Sequence, residues 1–462
     1  MKKRILLLIA TFGVAITAAS FNFGGNQASA TVPYTNAIIS VDGSGNQGTN
    51  DSADSNSQVS MSQDGRYVLF SSSASNLVSG DTDNAADLFV KDRLTGSVTR
   101  VDVSSAGTQA NIGGDIWGRI SADGKYVAFE SYATNFVSGT LPANSVHYYL
   151  HNMTTGSTDL IDVGMGGAMP NTGGDSRSVD ISADGRYVVF ASGASNLVSG
   201  DTNSQQDIFV RDTKLSTTTL LSKADSGTAA NGDSTRPSIN CDGSMIAFSS
   251  QATNLVSSDT NGVDDDFLVN RVGGNSIKDL TLSANATSGV EGYSAPLAPV
   301  VSCNGSTVLV PSKASNLTSG VTGTTKYHLY AYNTFNDSFE LIDKSASGTV
   351  GNNGVRDDAI SWDGNLIAFN SQANNLSSST YDDNSYADVY LRNRSANTTE
   401  QVSRASTTTS LQSPQSEAVT PSISLDGRYV SFSTYSSNAV SGDTNSKHDV
   451  FVAQSGYTPT NY

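Results

Sequence analysis

The chain has 462 residues, a formal net charge of −17 and 37% hydrophobic residues. This acidity argues against nucleic-acid binding, because phosphate contacts need clustered lysine and arginine side chains. The low hydrophobic content indicates long polar loops between regularly spaced strands.

The N-terminal stretch 1–30 has the pattern of a secretory signal peptide. Met1 to Arg4 is basic, 5–19 is apolar, and Ala28-Ser29-Ala30 matches a small-residue cleavage site. The apolar run is short for a membrane span. The sequence therefore predicts export, with a mature chain 31–462 that has no membrane span after cleavage; a retained N-terminal anchor is the alternative.

One stretch, 181–212, recurs in variants along the chain. Within it, Asp184-Gly185 is a hairpin signal, and it precedes a run of aromatic and β-branched residues that favours a strand. Four strands, named A to D, are predicted as an antiparallel meander, at 179–182, 186–190, 207–211 and 217–221.

The turn of this repeat occurs seven times, at Asp64, Asp123, Asp184, Asp242, Asn304, Asp363 and Asp426. The intervals run from 58 residues (184 to 242) to 63 residues (363 to 426). A regular period of four-strand units is typical of a β-propeller. The sequence thus predicts an all-β, seven-bladed propeller of four-stranded antiparallel blades. The last unit lacks a clear fourth strand, and 37–42 resembles one, so this N-terminal strand is expected to complete blade seven and close the ring.

The two cysteines, Cys241 and Cys303, directly precede the turns of blades four and five. In an exported protein such a pair favours a disulfide. Neighbouring blades could also hold the two Cα atoms too far apart for one, which would leave two separate thiols.

Strand order places the long B–C and D–A connections, such as 191–206 and 222–237, on one face of the ring. The opposite face carries only the tight A–B and C–D turns. Because long loops on a rigid scaffold usually carry binding, we expect any site on the long-loop face, around the central channel.

Acidic and amide side chains recur in the B–C loops. Oxygen ligands at alternating positions suit Ca²⁺, the one cofactor that the sequence suggests. The alternative is that these side chains bond to their own backbone. The sets are Asp81, Asp83, Asp87; Asp201, Asn203, Asp207; Asp443, Asn445, Asp449; and, in blade four, Asp259, Asn261, Asp266.

Two further sets are candidates for ligand binding. Arg177, Arg236 and Arg356 lie near the start of strand A, where they could meet an anionic ligand or pair with nearby aspartates. Trp117 and Tyr293 lie in D–A connections. They could stack on a sugar or anchor a protein partner, or pack between blades.

No nucleophile elbow, zinc motif or phosphate-binding loop occurs in the sequence. Four histidines are present, and no pattern unites them. The sequence leaves open whether the fold brings two carboxylates together as a catalytic pair.

The repeats Ser182–Phe190 and Ser424–Phe432 both read Ser-x-Asp-Gly-Arg-Tyr-Val-x-Phe, and Phe209–Asp212 adds Phe-Val-Arg-Asp. These motifs resemble the TolB-like, WD40-like propeller repeats of secreted bacterial proteins, over nearly the whole mature chain. In TolB-like proteins such propellers act as protein-binding scaffolds of the cell envelope, and in other relatives they gate a fused peptidase. The proline usual before Asp-Gly in that family is absent here.

These features predict a secreted, monomeric, non-enzymatic propeller that binds a protein or glycan at the cell envelope through its long-loop face. One alternative is a secreted polysaccharide-active enzyme with carboxylates at the central channel. The other is a cell-surface structural protein whose acidic loops bind Ca²⁺.

Overall fold

A computed structural model describes residues 36–53, 59–113, 117–259, 264–272, 274–281, 297–322, 325–377, 385–404 and 416–458. Over these ranges the chain forms seven four-stranded antiparallel sheets. The single helical segment within them is a 3₁₀ turn, Met165–Gly167. The predicted all-β, seven-bladed propeller is confirmed. None of the described segments is a helix with the length and apolarity that a membrane crossing requires.

The blades follow one another along the chain. Blade one comprises β2 (Val59–Met61), β3 (Tyr67–Ser72), β4 (Asp87–Asp92) and β5 (Val98–Arg100). Blade two comprises β6 (Gly118–Ile120), β7 (Tyr126–Ser131), β8 (His147–Asn152) and β9 (Thr158–Leu160). Blade three comprises β10 (Gly174–Ile181), β11 (Tyr187–Ser192), β12 (Asp207–Asp212) and β13 (Thr217–Leu220). Blade four comprises β14 (Ser234–Ile239), β15 (Met245–Ser250), β16 (Asp265–Asn270) and β17 (Ser276–Asp279).

Blade five comprises β18 (Val300–Val301), β19 (Thr307–Ser312), β20 (His328–Asn333) and β21 (Ser338–Leu341). Blade six comprises β22 (Val355–Ile360), β23 (Leu366–Ser371), β24 (Asp388–Asn393) and β25 (Thr398–Gln401). Blade seven comprises β26 (Ala418–Ile423), β27 (Tyr429–Thr434), β28 (Asp449–Gln454) and the N-terminal strand β1 (Ala37–Ile38).

The N-terminal strand closes the ring as predicted. Ala37 pairs with Val452 and Ile38 with Phe451, in antiparallel register. The next residues continue the contact, since the Ile39 amide donates to the Val450 carbonyl at 2.7 Å. The fourth strand of blade seven is therefore supplied from the other end of the chain, and no sheet edge is left open there.

The core lies between the blades. Aromatic side chains at the centres of strands B and C face each other with ring centroids 5.5 to 5.9 Å apart. One apolar cluster joins Tyr148 of blade two to Phe190 and Phe209 of blade three, so each blade covers its neighbour. Complete burial of one such ring contributes roughly 2–3 kcal/mol.

The repeated Asp-Gly-Arg-Tyr has a packing reason. Gly185 takes a φ of 74°, and a Cβ there would lie 2.3 Å from the ring of Tyr126 in the preceding blade. Only glycine allows both the left-handed turn and this approach. The arrangement recurs at the turns of blades one, two and four, with Gly65 against Tyr429, Gly124 against Tyr67, and Gly243 against Tyr187.

Residues at or just before the A–B turns bond from blade to blade at the tight-turn end of the channel. The Ala183 amide donates to the Cys241 carbonyl at 3.0 Å, and the Cys241 amide to the Cys303 carbonyl at 3.1 Å. The Asp426 amide donates to the Gln63 carbonyl at 3.1 Å, which links blade seven to blade one. The strand A ends are therefore close neighbours around the axis.

The short distance between neighbouring strand A ends decides whether the two cysteines are bonded. Cys241 and Cys303 form a disulfide, with their Cα atoms 4.5 Å apart. The separation falls inside the range that disulfides require. The bond joins blades four and five beside the channel.

Candidate functional site

An ion pair between two blades lies inside the central channel. The Arg119 Nε of blade two lies 3.7 Å from an Asp180 carboxylate oxygen of blade three, and both side chains are largely buried. Asp358 of blade six lines the same level. Because Arg119 and Asp358 line the cavities on both sides, they form the waist of the channel.

Two cavities flank the waist. The one toward the tight turns has a volume of about 120 Å³ and is lined by Ser60, Cys241 and Cys303 among others. The one toward the long loops has a volume of about 50 Å³. Pockets for small organic ligands usually measure about 300–1,000 Å³. The channel thus has room for water or small ions on either side of the waist.

Bulges in strand A direct side chains toward the long-loop cavity. Arg177 and Arg236 take φ values of 62° and 55°, and the pairing of strands A and B shifts register beside each of them. Bulges of this kind re-aim side chains. Both arginines line the long-loop cavity together with Asp357.

The bulge at Arg177 rests on a carboxyl group of the preceding blade. The Arg177 amide donates to both Glu130 oxygens, at 2.8 and 2.7 Å, and the Ser178 amide donates at 3.3 Å. Burial raises the pKa of Glu130 to about 8, against the lowering effect of these amides. Glu130 is therefore mainly protonated at neutral pH.

Burial also shifts the carboxyl groups of the channel. It raises the pKa of Asp358 to about 8, helped by the neighbouring charge of Asp357, whose own pKa rises to about 6. Burial raises the pKa of Asp180 as well, and the positive charge of Arg119 opposes this. Two adjacent carboxyl groups with different protonation beside an arginine are an arrangement that general acid–base chemistry uses.

The three predicted arginines do not lie together in the structure. Arg177 and Arg236 meet at the long-loop cavity, whereas Arg356 is exposed and lies 3.6 Å from Glu417. Sequence reasoning missed Arg119, although its position carried a signal. It directly precedes the last residue of its strand A, where blades one, four and seven have serine: Ser60, Ser238 and Ser422.

Trp117 is buried in the wall of the long-loop cavity. The guanidinium carbons of Arg119 and Arg177 each lie 5.9 Å from its ring, within the range of cation–π attraction. The indole thus holds two of the channel arginines in place. Tyr293 lies outside the described residues.

The acidic loop sets have different surroundings in different blades. In blade one, oxygens of Asp81, Asp83 and Asp87 lie within 4.8 Å of one another, and Arg100 lies 3.6 Å from both Asp81 and Asp87. Protein cations and loop carboxylates are thus already paired in that blade.

In blade three, the Asn203 side-chain amide donates to Asp207 at 2.7 Å and to the Ala230 carbonyl at 2.8 Å, while Asp201 is buried nearby. In blade seven, Asn445 donates to the Gly48 carbonyl at 3.1 Å, and Asp449 accepts from Ser40 at 2.5 Å. Asp443 is buried beside them. These contacts fasten each loop to the adjoining D–A connection.

The first residue of strand C makes a recurring bond that explains two histidines. His147 Nδ1 lies 2.8 Å from Asp162, and His328 Nδ1 lies 2.6 Å from Asp343, with all four side chains buried. In blades three, four, six and seven an aspartate starts strand C and a hydroxyl donates to it, from Ser222, Thr281, Ser403 and Ser40. The histidine–aspartate pairs are thus a variant of a structural bond, which single-strand periodicity could not reveal.

Replacing Glu130 with glutamine tests the buried carboxyl group. Its folded pKa lies above its usual value, so its stabilising contribution is complete below about pH 4.5 and is lost as pH rises toward 8. Relative to wild type, Glu130→Gln is expected to gain about 4 kcal/mol of unfolding free energy between pH 5 and pH 9. Denaturant melts at both pH values measure this difference, and a difference that does not vary with pH would contradict it.

No family model matches the chain, and no curated protein matches it. The structure is similar to an oligogalacturonate lyase from Vibrio parahaemolyticus, with 15% identity, a TM-score of 0.51, and coverage of 91% of this chain and 97% of the lyase. An oligogalacturonate lyase in complex with manganese gives 14% identity, a TM-score of 0.49, and coverage of 86% and 88%. TolB from Acinetobacter baumannii gives 13% identity, a TM-score of 0.41, and coverage of 73% and 62%. The similarity to the Vibrio lyase agrees with the predicted propeller fold, and at 15% identity it carries no function.

Proposed function

We propose that the chain is an exported binding module that holds a protein or glycan partner on its long-loop face, around the mouth of the channel. The proposal rests on the residues that line the long-loop cavity. Arg177, Arg236, Trp117 and Asp357 converge there around a cavity of about 50 Å³. A partner would be recognised across this surface rather than enclosed, since the cavity is too small for a sugar ring.

Exposed apolar side chains add to this face. Met165 and Tyr386 project from its connections, as do Ile112 and Tyr435. Tyrosine, methionine and arginine are enriched in protein interfaces. The tight-turn face offers a competing set in its C–D turns, namely Leu94, Leu215, Val272 and Phe335. A test of the proposal must therefore compare the two faces.

The comparison uses two double variants with the same change of charge. Met165→Asp with Tyr386→Asp alters the long-loop face, and Leu215→Asp with Phe335→Asp alters the tight-turn face. Binding of the purified mature chain to an array of bacterial envelope proteins and polysaccharides is measured for all three proteins. We expect the first variant to lose affinity by about tenfold or more, and the second to stay within about twofold of wild type. The reverse result would move the site to the tight-turn face.

A polysaccharide-active enzyme is the second candidate, favoured by the shifted pair Asp357 and Asp358 beside Arg119. Sustained release of product from a polysaccharide, abolished by Asp358→Asn, would establish it in place of the binding module. Binding without turnover would leave the binding module.

A further inference from the structure

Blade four gathers three buried carboxylates. Asp259, Asp265 and Asp279 are 9%, 1% and 8% exposed, and each offers an oxygen within 4.8 Å of the other two. Burying like charges at this distance is unfavourable unless a cation or protons neutralise them. This blade four cluster joins the B–C loop, the start of strand C and the end of strand D.

Blade one contains the same arrangement with a cation built in. Asp81 and Asp87 are six residues apart, as are Asp259 and Asp265. Arg100 pairs with Phe89 across strands C and D in the way that Asp279 pairs with Phe267. The Arg100 guanidinium lies 3.6 Å from both of its aspartates. In blade four, a third carboxylate therefore stands where blade one has its positive charge.

This correspondence corrects the sequence alignment of blade four by one residue. The sequence suggested Asp266 as the partner of Asp259, but strand C begins at Asp265. Asp266 is buried separately and accepts from the Ser249 hydroxyl at 2.6 Å. The alignment by sequence also overlooked Asp279, because its strand D position holds leucine in blades two, three and five: Leu160, Leu220 and Leu341.

One observation beyond the clustering points to a bound cation. The Oδ1 of Asp259 is buried and has no hydrogen-bond partner among the described residues, although its carboxylate faces the other two. Thr281 fixes those two, since its hydroxyl donates to Asp265 at 2.7 Å and its amide donates to Asp279 at 2.8 Å. The adjoining sequence stretches 260–263 and 282–296 contain no lysine or arginine.

We propose that Asp259, Asp265 and Asp279 bind one hard divalent cation, Ca²⁺. Three carboxylates with only oxygen ligands suit Ca²⁺ or Mg²⁺ rather than softer metals. Mg²⁺ usually keeps several of its waters and is held by only one or two protein carboxylates, whereas Ca²⁺ accepts several carboxylates in a flexible geometry. A cluster of three buried protein carboxylates therefore favours Ca²⁺. The bound ion replaces the guanidinium of blade one and ties the B–C loop to strand D.

The test uses the mature chain stripped with EDTA, with isothermal titration calorimetry and thermal melting against CaCl₂ and MgCl₂. Wild type is expected to bind Ca²⁺ in preference to Mg²⁺ and to melt about 3 °C or more higher at saturating Ca²⁺. Asp279→Leu, the residue of blades two, three and five, is expected to lose one Ca²⁺ per chain and the response in melting temperature. Asp81→Asn in blade one is the matched control, and it should keep the full response of blade four.

Asp279→Arg supplies a second, independent readout. It copies Arg100 into blade four, so without calcium it should melt above EDTA-treated wild type and should not respond to Ca²⁺. A folded wild type that takes up no Ca²⁺ at about 10 mM would overturn the proposal. Unchanged stoichiometry in Asp279→Leu would overturn it as well. Loss of the ion is separable from loss of partner binding, which the charge variants on the long-loop face report.

Discussion

Replacing Cys241 and Cys303 together with alanine is expected to lower the free energy of unfolding by about 4 kcal/mol. The disulfide spans a sequence separation of 62 residues, and its loss frees that loop in the unfolded chain. Alanine occupies the same position in blades two and three, as Ala122 and Ala183, so the folded ring accommodates it. The backbone bond from Cys241 to Cys303 at 3.1 Å should persist. Guanidinium chloride melts of both proteins measure the difference.

Reduced wild type is the control for this variant. Its guanidinium chloride midpoint should equal that of the double alanine variant, since each protein lacks the same covalent link. Two titratable thiols in native, unreduced protein would contradict the structure. An unchanged denaturation midpoint in the variant would show that blades four and five are held by packing alone.

The fold was readable from the sequence because its determinants are local. Asp184-Gly185 fixes a turn, and the alternation around it fixes a strand, so seven copies predict seven blades. Closure by β1 followed from counting strands at the two ends of the chain. The sequence could not decide whether the two cysteines form a disulfide. That depends on the distance between the strand A ends of neighbouring blades, which the geometry of the ring determines.

The candidate site was harder to predict, because bulges and depth along the axis decide which side chains reach the channel. Arg177 and Arg356 look alike in sequence, yet the first lines the long-loop cavity and the second pairs with Glu417 on the surface. Arg119 had no partner nearby in the chain, since Asp180 belongs to the next blade. The blade four cluster could not be predicted because the sequence alignment of blade four is wrong by one residue. The pairing of Phe267 with Asp279 shows the correct alignment.

Replacing Ile39 with alanine is expected to lower the free energy of unfolding by about 3 kcal/mol and to loosen the ring. Ile39 is buried between blades seven and one, directly after the closing strand. Ile342 is the same residue at the same position in blade five, because the amides of both donate to strand C, to Val450 and to Leu329. Ile342→Ala should therefore remove similar packing from a blade whose chain is continuous.

Hydrogen exchange separates the two variants. In Ile39→Ala the closing strand, which pairs with β28 through Ala37 and Ile38, can detach while the rest of the ring stays folded. Amides of β28 that face β1 should exchange at least about tenfold faster than in wild type. In Ile342→Ala the corresponding amides of β20 face β21, which the chain holds at both ends, so their exchange should stay closer to that of global unfolding. Equal local exchange in both variants would mean that the ring is held at its seam as firmly as within a blade.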